Sequence, residues 1–99
     1  MIIRVLQVWL KPGAQAAFEQ LMRDEAMPLI RGERGLVALY VGSQLSASDS
    51  PTIIVVSIWR DQASLEAFMG PDWQVPIELP GEADLVLETR LDNYVRLDK

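Results

Sequence analysis

An α+β domain is predicted from three features of the 99-residue chain. Four stretches rich in β-branched and large apolar residues read as strands. Two stretches in which apolar residues recur at helical spacing separate them in the order β-α-β-β-α-β. Proline and glycine clusters mark the joins. This order is the ferredoxin-like split βαβ arrangement, an antiparallel four-stranded sheet with both helices on one face. The length suits a single domain over 1–99 with one core, hiding roughly 65% of the surface an unfolded chain exposes.

Ile2 to Leu10 reads as the first strand, and Lys11-Pro12-Gly13 as the turn that ends it. From Ala14 to Ile30 the period changes. Ala14, Phe18, Leu21, Met22, Leu29 and Ile30 form an apolar stripe opposite Glu19, Gln20, Arg23 and Asp24. Pro28 predicts a kink or break in the last turn. Leu36 to Gln44 reads as the second strand, with Val37, Leu39 and Val41 on one side and Ala38 and Tyr40 on the other. The polar run 46–51 is a hairpin loop, and Thr52 to Arg60 is the strongest strand pattern in the chain. Asp61 is suited to cap a second helix by accepting from the amide of Ala63 or Ser64. Leu65, Phe68 and Met69 give that helix a short apolar face, and Gly70-Pro71 stops it. The segment 72–83 is too rich in proline for one regular element. Asp84 to Leu97 closes the chain as a long strand, with a bulge expected around Asp92-Asn93.

Composition excludes many functions. Nine Lys and Arg against 14 Asp and Glu give a net charge of −5, which argues against nucleic acid as a partner. There is no Cys, so no disulfide framework or thiolate chemistry. There is no His, so no Ser-His-Asp triad, imidazole base or His metal ligand. Glu78, Glu82 and Asp84 form an acidic cluster, but their spacing does not match an EF-hand loop, and solvated loop charge is the expectation. Gly32 and Gly35 lack the Lys-Ser/Thr of a phosphate loop. No metal is expected. The start of the chain interrupts its apolar run with Arg4 and does not resemble a signal peptide. No run approaches the ~20 apolar residues of a membrane span, so a cytoplasmic protein with no membrane partner is expected.

The strands also predict a partner. In the third strand Ile53, Val55, Ser57 and Trp59 alternate with Ile54, Val56, Ile58 and Arg60. In the first, Ile3, Val5 and Trp9 lie opposite Ile2, Leu6, Val8 and Leu10. Both faces are mostly apolar, and two helices cover only one. The alternative is that β-propensity alone filled the strands. A homodimer with its two sheets packed face to face accounts better for the second apolar face.

Three stretches carry a resemblance: Val5…Trp9-Leu10-Lys11-Pro12-Gly13…Phe18, then Arg34-Gly35-Leu36-Val37, then Val56-Ser57-Ile58-Trp59-Arg60-Asp61…Leu65…Phe68. In their order and spacing they resemble the antibiotic biosynthesis monooxygenase domain family. The resemblance covers about the first two-thirds of the chain and is looser after Gly70. It implies a dimeric α+β barrel with a ligand pocket in each subunit between sheet and helices. Members include cofactor-free oxygenases of polycyclic phenols and quinols, and haem-degrading enzymes. The haem-degrading branch uses an Asn in the first strand, a Trp in the second helix and a His soon after. The matching positions here are Leu6, Phe68 and approximately Glu78, so that activity is disfavoured. The cofactor-free branch works with Asn, Trp, Tyr and Arg around an aromatic substrate. The lone Asn here, Asn93, does not match that branch's pocket Asn.

Each candidate site residue has two readings. Trp59 either lines the pocket and donates its indole N–H to a ligand, or anchors the core. Glu25, beside the stripe of the first helix, is a candidate general base with a pKa raised by burial, or an edge residue paired with an Arg. Tyr40, Arg90 and Tyr94 are candidate donors to a phenolate; alternatively Tyr40 packs, and Arg90 and Tyr94 join Asp92 in a surface ladder. Trp73 in the proline-rich segment covers a pocket mouth, meets a dimer partner or simply packs. Phe68, on the apolar face of the second helix, is a candidate substrate contact.

Two functions follow as expectations. The first is a cofactor-independent monooxygenase for a small aromatic or enolic substrate, needing no cofactor because the substrate supplies the electrons to O2. Glu25 would be the base, and Trp59, Tyr40 or Arg90 the donors. The alternative is a non-catalytic small-molecule-binding or assembly domain of the same fold. A cavity carrying two or more polar groups weighs against the alternative, and a pocket filled by its own side chains weighs for it.

Overall fold

The computed structural model describes residues 1–98. The strands are β1 (Ile2–Leu10), β2 (Leu36–Ser43), β3 (Thr52–Trp59) and β4 (Val86–Val95). Between β1 and β2 run α1 (Gln15–Leu21), a widened helical turn (Met22–Ala26) and α2 (Met27–Arg31); α3 (Gln62–Met69) follows β3. The sheet order is β2-β3-β1-β4 with every neighbouring pair antiparallel. The two strands richest in Ile and Val thus take the centre, where both faces find cover most readily.

Pro28 does not end the first helix; the helix loosens ahead of it. Proline has no N–H for the carbonyl four residues back, and its ring crowds that carbonyl. The chain responds with a π turn over Met22–Ala26, in which the Met27 amide donates to the carbonyl of Met22, five residues back. Pro28 then sits in the first turn of α2, where its missing donor costs nothing. At α3 the Asp61 carboxylate accepts from the Ser64 amide at 2.7 Å, and Gly70 at φ 77° ends the helix.

The bulge in β4 lies elsewhere than Asp92-Asn93. Those two residues pair regularly with Val5 and Arg4, whereas Trp9 pairs with Glu88 and Leu10 with Val86, leaving Leu87 as the extra residue. The bend falls where the strand emerges from the 3-10 turn Glu82–Asp84 and must align with β1. A second irregularity leaves Val37 out of register in β2, and Val37 is exposed. Gly35, just before β2, donates space rather than flexibility: a Cβ there would stand 2.1 Å from the Cβ of Ser64 in α3. The close approach lets the Gly35 carbonyl accept from the Arg60 amide at 2.8 Å.

The core lies between the sheet and the helices. Val8 and Leu10 from β1, Ile53 and Trp59 from β3, Phe18 from α1 and Leu65 from α3 are fully buried. Phe18, Met22 and Ala26 repeat at four-residue spacing and form the inward row of the first helix. The opposite face of the sheet is bare. Ile3, Val5, Trp9, Val56 and Ile58 are half-buried there by their neighbours, and Tyr40, Ile54 and Tyr94 are exposed.

Candidate functional site

A cavity of about 70 Å³ opens between the helix-facing side of the sheet and the first helix and α3. Its walls are mostly apolar: Leu6 and Val55 from the sheet, Phe18, Met22, Leu29 and Ile30 from the helical stretch, Phe68 and Met69 from α3. Ile77, Leu79 and Glu82 close it from the segment that joins α3 to β4. Three polar side chains and one indole line the same space: Arg4, Ser57, Glu82 and Trp59.

Trp59 is a core anchor that also lines the cavity, without a free indole donor for a ligand. It lines the cavity and is 1% exposed, and its ring stacks on Phe68 with centroids 5.2 Å apart. Its indole N–H is already used, donating to Ser57 Oγ at 3.0 Å. Ser57 faces inward because it stands two residues before Trp59 on β3, so the pair satisfies itself inside the core.

Arg4 is the least expected member. It occupies an inward position of β1, two residues before Leu6, and is 8% exposed. Burial pulls its pKa down to about 10, which leaves it charged at neutral pH. Its guanidinium donates to the backbone carbonyl of Trp73, to the Val75 carbonyl at 3.2 Å and to Asn93 Oδ1 at 3.3 Å, and it approaches Met69 Sδ at 3.9 Å. Most of the five donors of the side chain are thereby engaged. Arg4 is a strut: it ties the proline-rich segment to the sheet and so holds that wall of the cavity in place.

Glu78 and Asp84 are exposed, as expected of solvated loop charge, but Glu82 is not. It is 9% exposed, and its Oε2 accepts from the Leu79 amide at 2.8 Å. Burial pushes its carboxyl above the usual range; the Leu79 amide opposes this, and nearby Glu78 adds to it. Among the described residues it forms no ion pair, Arg4 included. Glu82 and Ile77 also line a second, more open cleft of about 410 Å³ along the start of β4, so Glu82 stands in the wall between the two spaces.

The other sequence-predicted residues lie apart. Glu25 is exposed on the widened turn and does not line the cavity, because Met22 and Ala26 take the inward positions on either side of it. Arg90 is on the bare face of the sheet and pairs with Asp92 Oδ2 at 3.0 Å, the ladder considered for it. Tyr40 and Tyr94 share that face, 64% and 51% exposed. Trp73 is half-buried and meets the site through its carbonyl rather than its ring. Phe68 lines the cavity. One signal for Arg4 was present in the sequence: a charged residue on the inward register of an otherwise apolar strand. None marked Glu82 among its acidic neighbours.

Among the described residues, no group of three acidic side chains is arranged to hold a metal ion, and no helix is long and apolar enough to cross a membrane. The family model for antibiotic biosynthesis monooxygenase matches residues 1–72. No curated protein matches the sequence. Solved structures share the fold at low identity. A protein of Nitrosomonas europaea is 16% identical, with a TM-score of 0.77, over 99% of this chain and 100% of its own. One from Pseudomonas aeruginosa is 20% identical, with a TM-score of 0.74, over 98% of this chain and 94% of its own. SnoaB, a cofactor-independent oxygenase from Streptomyces nogalater, is 15% identical, with a TM-score of 0.72, over 99% of this chain and 94% of its own.

Proposed function

We propose a function from one premise: the chain belongs to the antibiotic biosynthesis monooxygenase family. Within that family, the reading that fits the cavity is cofactor-independent oxygenation of a small phenol-like or enolic substrate. The observation that carries it is a partly open, mainly apolar cavity in which a buried carboxyl stands among aromatic and aliphatic walls. Such a site favours a flat apolar molecule and makes proton transfer the one polar event it can manage.

The chemistry needs no group beyond substrate and O2. Loss of a proton from a ring CH2 flanked by conjugation, or from the O–H of its enol tautomer, gives one and the same enolate. That anion passes an electron to O2, and the two radicals combine to a peroxide. Return of the proton gives a hydroperoxide, which loses water. The net change turns CH2 into C=O, with one oxygen atom of O2 in the ketone and the other in water. The protein excludes solvent, holds the anion in a dry site and moves the proton. The exposed position of Glu25 removes the support for it as base. For Trp59 the supported role is to form a wall with Phe68, since its N–H is engaged.

The proposal includes a cytoplasmic homodimer joined through the bare face of the sheet, supported by the apolar residues that face carries. A non-catalytic binding or assembly domain is the second reading, favoured by the modest 70 Å³ of the cavity. Oxygen uptake separates the two. The purified chain, with no flavin or metal added, is expected to consume O2 with anthrone and to form one new ketone per O2. No uptake above the protein-free rate across such substrates defeats the oxygenase reading.

A further inference from the structure

We propose that Glu82 is the proton acceptor of the cavity and that the ligand it selects is a small molecule bearing a phenolic or enolic hydroxyl. This rests on the cavity being the ligand site for a phenol-like or enolic molecule, the reading given above, and deepens it by naming the group that meets the ligand's hydroxyl.

The polar groups around the cavity differ in what they have left to offer. Arg4 has committed its guanidinium to Trp73, Val75, Asn93 and Met69. Trp59 has committed its single donor to Ser57. Glu82 has engaged one carboxylate oxygen with the Leu79 amide; among the described residues no protein donor reaches the other, Oε1, and that atom is open to solvent. A carboxylate is acceptor-only, so what it can take from a ligand, in exchange for water, is a hydrogen-bond donor. The remaining walls are mostly apolar, which suits a ligand with a single donor on an otherwise apolar body rather than a sugar-like one with several. A volume of about 70 Å³ is below that of a single ring, so the proposal requires Met22 and Met69, unbranched side chains in the lining, to change rotamer when the ligand enters.

Position gives Glu82 a second qualification. A proton acceptor sealed in a core would keep its proton after one transfer. Glu82 stands in the wall shared by the inner cavity and the outer cleft. When the ligand O–H bond breaks, the proton bonds to Oε1 and the ligand becomes the phenolate or enolate. The proton then returns to the ligand or leaves through the cleft to water, and the carboxylate is restored. Burial, which raises its proton affinity, moves it toward that of an acidic phenol or enol and so eases the exchange.

The test uses para-cresol and para-xylene, which differ only by hydroxyl against methyl. Binding is measured by calorimetry on the wild-type chain and on Glu82→Gln. Gln keeps an oxygen for the Leu79 amide but loses the charge. Para-cresol is expected to bind about tenfold more weakly to the variant, the loss of a hydrogen bond to a charged group. Para-xylene is expected to bind both proteins alike. Equal weakening of both ligands, or of neither, overturns the proposal. A measurement on the wild-type chain stands independently of how the variant folds. With carbon-13 in the Glu carboxylates, the Glu82 resonance is expected to move on adding para-cresol and not on adding para-xylene; a Glu82 resonance that ignores para-cresol overturns the proposal. Absence of oxygen uptake with the para-cresol preference intact defeats oxygenation and leaves the Glu82 assignment standing. Uptake that survives in Glu82→Gln does the reverse.

Discussion

Two charged side chains, Arg4 and Glu82, decide the character of the interior. Sequence reading found neither role, and for different reasons. Arg4 was visible as a charge within an apolar strand, but its function depends on carbonyls 69 and 71 residues away in an irregular segment. Glu82 looked like Glu78 and Asp84, because its burial follows from where that segment hangs and not from any local period. The environment of Glu82 has a measurable consequence in stability. Its folded pKa lies above the ordinary 4.5, raised first by burial and also by Glu78, against the Leu79 amide; Arg4 lines the same cavity. The stabilisation from the protonated form is therefore complete below about pH 4.5 and is lost as pH rises through the folded pKa. Glu82→Gln stays neutral throughout. Its melting temperature is expected to gain on that of the wild-type chain as pH rises from the ordinary carboxyl range toward neutrality. Thermal unfolding at a series of pH values checks this, and parallel curves would contradict the burial of Glu82.

At the scale of elements, the order, the alternation of faces along the strands and the helix cap were legible because each rests on local chemistry. Period-2 runs marked β1 and β3, and Asp61 followed by the amide of Ser64 marked the start of α3. The π turn was legible only as trouble at Pro28, since proline announces a missing bond and not how the chain accommodates it. The bulge at Leu87 was not legible, because pairing partners on β1 set it. The junction of β2 and α3 offers a direct test of packing. A Cβ at Gly35 would meet Ser64 Cβ at 2.1 Å, so Gly35→Ala must push α3 from the sheet and is expected to cost about 1–3 kcal/mol. Ser64→Gly removes the obstructing atom at a helix-propensity cost of up to about 1 kcal/mol. The double variant is expected to be more stable than the sum of the two losses allows. Urea unfolding of the four proteins measures this coupling, and simple additivity would show that the contact is not what makes glycine necessary there.

For the molecule as a whole, the two-sided apolar sheet was the clearest feature of the sequence, and the helices cover one side of it. The other side presents Ile54, Tyr40 and Tyr94 beside half-buried Ile3, Val5, Val56 and Ile58. If the proposed dimer forms there, sedimentation of the chain at micromolar concentration gives twice its 11.1 kDa mass, and Ile54→Lys shifts it to the monomer with its circular dichroism unchanged. A wild-type monomer at that concentration would remove the dimer. The segment between α3 and β4 has a different consequence. The family match ends at residue 72, yet Ile77, Leu79 and Glu82 beyond it close the cavity, and Arg4 fastens the segment that carries them through the backbone carbonyls of Trp73 and Val75. A clasp that grips main-chain oxygens is indifferent to much of the side-chain sequence it holds. This architecture therefore separates the frame from the selectivity of the cavity: exchanging about a dozen residues of one wall can change what the cavity accepts while the sheet, the helices and the clasp stay as they are.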